Sequence, residues 1–413
     1  MPSPFFGITR KLKIIILPLI AAILTALYIV MDKYYLSEVS SNPYAYSFLS
    51  LWLGLITLVV FMLVMRIPLK KKQLIGIHID PNYHGFILPK GKFLLWLFVA
   101  GLGAAVSSLT YFYLVDVTTP STMIPFSRIV IIYFVISEVF HEKTAPTIIE
   151  IQSIVMIMVG VFLMAMTDLN FDLLTILIVL GPYNLSNMLF TIGLQKAKRM
   201  IYKNRRNDSL NIRMWSIAFS AILLTVLLIP FMNQDFLNAL ALINPFIVIF
   251  IMVDMMIATL AMIAYIRALG VAKMSIVNSI MAFTVVLGIP LSLIGNLFFP
   301  GAFGLFSSDP IFWLFKGLGA LIIIIGIITI GISQVKAYLM IYIEGSSENV
   351  LKKLTNIKGI VNISAVSGAL LLIATLKIRS LGRAYRTIVN DLEKIEGIKR
   401  VVTLTSLKEW EKL

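Results

Sequence analysis

The chain has 413 residues, 59% hydrophobic and only 13% charged, about half the charged share of an ordinary soluble domain. Its 35 Lys and Arg against 20 Asp and Glu leave a net charge of +15, but two thirds of the excess lies before Tyr338, mostly in short segments between apolar runs, a pattern of membrane topology and not of a nucleic-acid-binding surface. There is no cysteine, which excludes disulfides and thiolate metal sites.

No charged residue occurs from Ile14 to Met31, Val39 to Met65, Phe93 to Val115 or Leu173 to Gln195. Each run is about the length a helix needs to cross a ~30 Å hydrocarbon core. Apolar runs and their polar punctuation predict ten spans, near 13–32, 46–66, 93–115, 119–140, 147–167, 171–194, 211–232, 245–267, 271–297 and 311–335. They are predicted as helices because an open sheet leaves backbone groups unsatisfied in lipid. The basic residues fall in alternate loops: Arg10 to Lys13, Arg66 to Lys92, Lys143, Lys196 to Arg213, Arg267 and Lys273. The other loops offer only Lys33, so both termini are expected in the cytoplasm.

The first run is read as a span and not as a signal peptide, because it has a counterpart later in the chain. PLIAAILTALYIVMDK (Pro18 to Lys33) reads like PYNLSNMLFTIGLQK (Pro182 to Lys196), and the spacing from Lys33 to Trp52 equals that from Lys196 to Trp215. Two five-span copies are predicted, and an odd number per copy inverts the second, a transporter signature.

The unit LTYFYLVDVTTPSTMIPF (Leu109 to Phe126), the HEKT turn (His141 to Thr144), the GVFL close of span 5 from Gly160, IRALGVAKMS (Ile266 to Ser275) and the Gly319…Gly326 stretch follow in order. In these, residues 12–334 resemble the drug/metabolite transporter superfamily of EamA type. The resemblance implies a ten-helix polytopic membrane protein with inverted five-helix repeats at 1–167 and 168–336, in the plasma membrane. The chain departs from the pattern in the Gly/Phe-rich loop after span 9 and in Ser153, where a glycine is usual.

After Lys336 the pattern changes to strand, helix, two strands about Ser367–Gly368, a second helix (380–397) and a last strand. This βαββαβ order predicts an α+β ferredoxin-like domain over 337–413. It resembles the effector-binding domain of Lrp/AsnC regulators, which implies a homodimer through 337–413 and amino-acid binding. Gly368-Ala369-Leu370 replaces the usual Gly-aromatic-Asp there, and no helix-turn-helix accompanies it, so no nucleic-acid partner is expected.

Arg128, about ten residues and roughly 15 Å into span 4, and Asp254 in span 8 are the two charges placed at mid-span. Opposite signs at like depth predict that they approach, either as a structural pair or as a site in which Arg128 holds a carboxylate or phosphate and Asp254 an amine or proton. Polar residues on spans 3, 4, 6 and 9 are candidate lining: Ser107, Ser108, Thr110, Tyr111, Thr122, Ser127, Tyr183, Asn184, Ser186, Asn187, Asn278 and Ser279. Singly these read as helix glue. The substrate-binding set is Arg128, Asp254, Asn184, Asn187, Tyr111 and Asn278. Gly101, Gly103, Ala105, Gly317 and Gly319 read as close-packing positions, and Lys316 as interfacial.

His78, Asp80 and His84 share one loop, but neither their spacing nor a fourth ligand makes a metal site. No nucleophile–base pair or phosphate-cradling loop is present, so neither enzyme activity nor a cofactor is expected. The sequence reads as a secondary transporter, in the efflux direction, of small polar or amphipathic metabolites such as amino acids, with a sensing or dimerising tail. A membrane receptor without flux is the alternative.

Overall fold

A computed structural model describes residues 10–39, 42–68, 73–117, 120–142, 148–165, 173–202, 205–241, 243–303, 309–332, 335–344, 347–355, 357, 360–366, 370–378, 392 and 395–405. They form two compact units, residues 1–136 with 154–327 and residues 137–153 with 328–413. The helices in order are α1 (Arg10–Glu38), α2 (Pro43–Met65), α3 (Gly76–Ile79), α4 (Lys92–Val117), α5 (Pro120–Arg128), α6 (Val130–Glu142), α7 (Ile148–Ala165) and α8 (Leu173–Ile178). They continue with α9 (Asn184–Arg199), α10 (Ser209–Leu228), α11 (Gln234–Ala241), α12 (Pro245–Leu269), α13 (Met274–Met281), α14 (Phe283–Phe298), α15 (Pro310–Ile332) and α16 (Ser347–Thr355).

Among the described residues, 8 stretches are long and apolar enough to cross a bilayer. They coincide with eight of the expected spans; Ile151–Met164, within expected span 5, is a shorter apolar helix. Expected span 4 is two helices, because the chain tightens at Ile129, one turn after Pro125. There Ile129 N donates to Phe126 O and Ile132 N to Ile129 O, both three residues back. Span 6 is also interrupted, by the π-helical turn Val179–Tyr183 around Pro182. The side-chain amide of Asn184 mends this break, donating to Val179 O at 2.7 Å and Phe126 O at 3.2 Å.

Helix α1 outruns its expected end at residue 32. Asp32 and Lys33 do not stop it, because both find partners inside the protein: Asp32 takes two tyrosine hydroxyls, and Lys33 Nζ donates to Val115 O at 2.8 Å.

In the first unit α1 runs along α12, α4 along α9, and α10 against both α4 and α2. Glycine sets the α4–α9 approach. A Cβ on Gly103 would stand 2.5 Å from Phe190 N, and one on Gly193 2.7 Å from Ala100 N, so α4 and α9 touch backbone to backbone. Gly160 and Gly319 do the same for α7 and α15, each Cβ meeting the other's carbonyl. Gly317, expected to pack closely, faces open space. Lys316, expected at the interface, is buried; its Nζ donates to Met164 O at 2.6 Å near the end of α7 and lies over the Phe312 ring. On α4, Phe93, Leu97 and Ala100 are buried while Leu94, Leu95, Phe98 and Leu102 are exposed, an apolar outer face suited to lipid.

Asp80 is held by Lys198 Nζ at 2.6 Å, Ser209 Oγ at 2.7 Å and Ser209 N at 2.8 Å, so its carboxylate is already occupied. Burial would raise this carboxyl, but the Lys198 ammonium and these hydrogen bonds overcome it and hold it down at about 2.

The second unit contains a four-stranded antiparallel sheet of β3 (Val335–Ile343), β4 (Ile360–Ala365), β5 (Leu371–Ile378) and β6 (Ile398–Thr405), in the order β4-β5-β3-β6. The ladder β1–β2 (Ile201–Tyr202 with Arg205–Arg206) belongs to the first unit. Alternate residues Leu339, Ile341 and Ile343 of β3, with Leu372, Ala374 and Leu376 of β5, are buried against Val350 and Leu354 of α16. The expected second helix of the tail and the Ser367–Gly368 turn lie outside the described residues, apart from Leu392 and residues 395–397 of the helix.

Candidate functional site

The first unit contains a cavity of about 210 Å³ between helices of both halves of the chain. Of the six residues expected to bind substrate, Arg128, Tyr111, Asn187 and Asn278 line it. Asn184 and Asp254 are buried beside it and are not part of the lining: Asn184 serves the broken backbone, and Asp254 faces a second carboxylate. Ser107, Ser108, Ser127 and Tyr183 line the wall, while Thr110 and Ser186 bond to carbonyls of their own helices. The Thr122 side chain lies outside the described residues.

The expected approach of Arg128 and Asp254 gives way to a different arrangement. Among the described residues no ion pair joins them. Asp254 lies within hydrogen-bonding reach of Asp32, one carboxyl beside the other. Tyr46 Oη donates to Asp32 Oδ1 at 2.7 Å and lies 3.5 Å from Asp254 Oδ2; Tyr111 Oη donates to Asp32 Oδ2 at 2.8 Å. Tyr46 is fixed in turn by stacking on Tyr35 and by the edge of Phe112. A direct carboxyl–carboxyl hydrogen bond needs one proton between the two groups, which lowers the cost of burying them together.

Arg128 is left without that partner. It is 6% exposed, and its Nε is buried without a hydrogen bond. Arg213, at 8%, is in the same condition on the same cavity. Arg213 belongs to α10, one turn after Asp208 caps the helix by accepting from Asn211 N at 2.8 Å. The ionisable neighbours of Arg128 are the phenols of Tyr183, Tyr28 and Tyr265, and that of Arg213 is Tyr28. Tyr265 is oriented by Thr191 Oγ1 at 3.0 Å and Asn278 Nδ2 at 2.9 Å.

The cavity is polarised along the membrane normal. Arg213, Tyr265 and Asn278 lie about 6 Å inside the helix ends that adjoin the basic loops. Asp32 and Tyr111 lie about 9 Å inside the opposite ends of α1 and α4. Sequence reasoning missed Asp32 and Arg213 because each stands beside other charges, Asp32 next to Lys33 and Arg213 after a basic loop, where both look like the polar ends of spans. The signal available for Arg213 was Asp208, a helix cap that puts the residue one turn inside.

Residues 12–166 match the EamA-like transporter family. No curated protein matches the chain. A solved structure titled "Crystal structure of protein" aligns over 76% of this chain and 96% of its own, at 12% identity and a TM-score of 0.47. With eight helices able to span a bilayer among the described residues, the chain is a multi-pass membrane protein whose residues 12–166 are similar to EamA-like transporters of the drug/metabolite type.

Proposed function

We propose that the protein is a secondary transporter that exports a small polar or amphipathic metabolite, such as an amino acid, through the cavity of the first unit. The observation that carries this is the buried cavity itself, which is lined by charged side chains from both halves of the chain: Asp32 and Arg128 from the first, Arg213 from the second. A purely structural core seldom leaves two arginines buried without partners. The binding set is Arg128, Asn187, Tyr111 and Asn278 on the wall, with Asp254 and Asn184 holding its shape.

The halves act as inverted five-helix repeats, residues 1–167 and 168–336, that rock about the cavity. The helix pairing supports this: exchanging the halves turns the α1–α12 pair into the α9–α4 pair, and among the described residues both are extensive helix contacts. Both termini face the cytoplasm, as the basic loops suggest. The tail is a ferredoxin-like domain that senses the metabolite or joins two copies; its all-antiparallel β4-β5-β3-β6 order is the order that a βαββαβ fold requires.

Counterflow of labelled amino acids in proteoliposomes tests the transport reading. Wild-type protein accumulates label against unlabelled solute inside, and Arg128→Gln reduces the initial rate at least tenfold. A correctly folded wild type that exchanges no solute from a broad panel would refute transport.

A further inference from the structure

We infer that Arg128 and Arg213 form a two-armed site for an anionic group, so that the solute is a net acid bearing a carboxylate or phosphate. This rests on the reading of the cavity as the transport site. It narrows the solute from polar metabolites in general to anions.

The argument is one of charge accounted for inside a buried space. At the acidic end Asp32, the carboxyl that lines the cavity, is already held from within the protein. Both oxygens of Asp32 accept tyrosine hydroxyls, and its neighbour is a second carboxyl. Little is left there to hold the ammonium of a neutral or cationic amino acid. The two arginines are not satisfied in the same way. Arg128 and Arg213 form no ion pair among the described residues, and each has a buried Nε without a partner.

Their ionisable neighbours are phenols, which are uncharged at neutral pH. A mostly buried guanidinium without a counter-charge is costly, and an anion in the cavity lowers that cost. Arg128 from the first half of the chain and Arg213 from the second line the same cavity of about 210 Å³, so both face the space a small anion would occupy. Ser220, 1% exposed on the same wall, has an unpartnered Oγ and can add a neutral hydrogen bond.

The test is ligand-induced thermal stabilisation of the full-length protein in nanodiscs, read by tryptophan fluorescence at constant ionic strength set with sodium chloride. Glutamate, succinate and inorganic phosphate are compared with leucine and lysine. Stabilisation by glutamate or succinate alone identifies a carboxylate site, stabilisation by phosphate alone a phosphate site, and either supports the inference. Arg213→Gln and Arg128→Gln should each weaken the effective acid at least tenfold, and Arg213→Lys less than Arg213→Gln. If a glutamine variant does not fold, the ligand profile of the wild type decides by itself. Leucine or lysine acting as well as the acids, or no response to any acid, overturns the inference. Counterflow of a neutral solute without acid binding would sink this site and leave transport intact. Acid binding without any counterflow would leave the site and sink transport.

Discussion

A membrane-buried aspartate needs an explanation of its own, and Asp254 has one. It is fully buried, within reach of Asp32, and its Oδ1 has no partner. If the two carboxyls are joined through one proton, an amide can take its place: the Nδ2 of Asp254→Asn donates to Asp32. That variant should unfold within about 1 kcal/mol of wild type in detergent. Asp254→Ala removes the partner and leaves Asp32 to its two tyrosines in a cavity-lined core, costing about 1–3 kcal/mol. Equal unfolding of Asn and Ala variants would show that no hydrogen bond links the pair. At this scale the sequence is legible where a charge interrupts an apolar run, as with Arg128. It is opaque where a charge stands at an apparent span end. Asp32 in MDKYY looks like the point where the helix meets water, and only its tertiary partners Tyr46 and Tyr111 reveal that it does not.

Elements in this protein end where their termini find partners, and the start of α10 illustrates the balance. Asp208 caps it and also accepts Asn211 Nδ2 at 2.8 Å, yet burial pushes its carboxyl up to about 6. Asp80, a few ångströms of chemistry away through Lys198, is held at about 2.

The two therefore act in opposite directions. Asp80 stabilises the fold at pH values above its unfolded value near 4, by about 2 kcal/mol, and that contribution is lost as the pH falls towards 2. Asp208 favours the fold when protonated, below about 4, and loses that as the pH rises through 6. Asp208→Asn keeps a good helix cap, loses the bond from Asn211 Nδ2, and removes the titration. Its stability relative to wild type should rise by about 1–3 kcal/mol between pH 4 and pH 7.5. A difference that stays constant across this range would mean that Asp208 ionises freely in the folded protein.

The eight long helices were legible because lipid imposes a length and a composition on them. The interruption at Ile129 was not, because the three-residue hydrogen bonds that make it arise only in the folded backbone. The four strands of the tail were legible in their alternation, whereas the expected second helix lies largely outside the described residues.

Across the whole of the first unit, polar contacts gather at the end with the basic loops. Lys198 of α9 meets Asp80 from the α2–α4 loop, and Asn211 Nδ2 and Trp215 Nε1 of α10 donate to Gly85 O and Ile87 O of the same loop, each at 2.8 Å. All of these cross from the first half of the chain to the second. At the opposite end the contacts between halves include aromatic pairs, Tyr34 with Phe250 and Tyr44 with Phe231. A buried ion pair thus joins the halves at the basic-loop end, whereas aromatic packing joins them at the other.

If the halves rock, weakening Asp80–Lys198 should shift the population towards a form open at the basic-loop end. The chain has no cysteine, so a single Ala104→Cys in the cavity wall is the sole thiol. In inside-out vesicles, Lys198→Met should raise its labelling rate by a membrane-impermeant maleimide at least fivefold over the parent, and in right-side-out vesicles the rate should fall. Labelling that is unchanged in both orientations, with the fold intact by thermal unfolding, would mean that the Asp80–Lys198 contact closes nothing and serves only to anchor the loop.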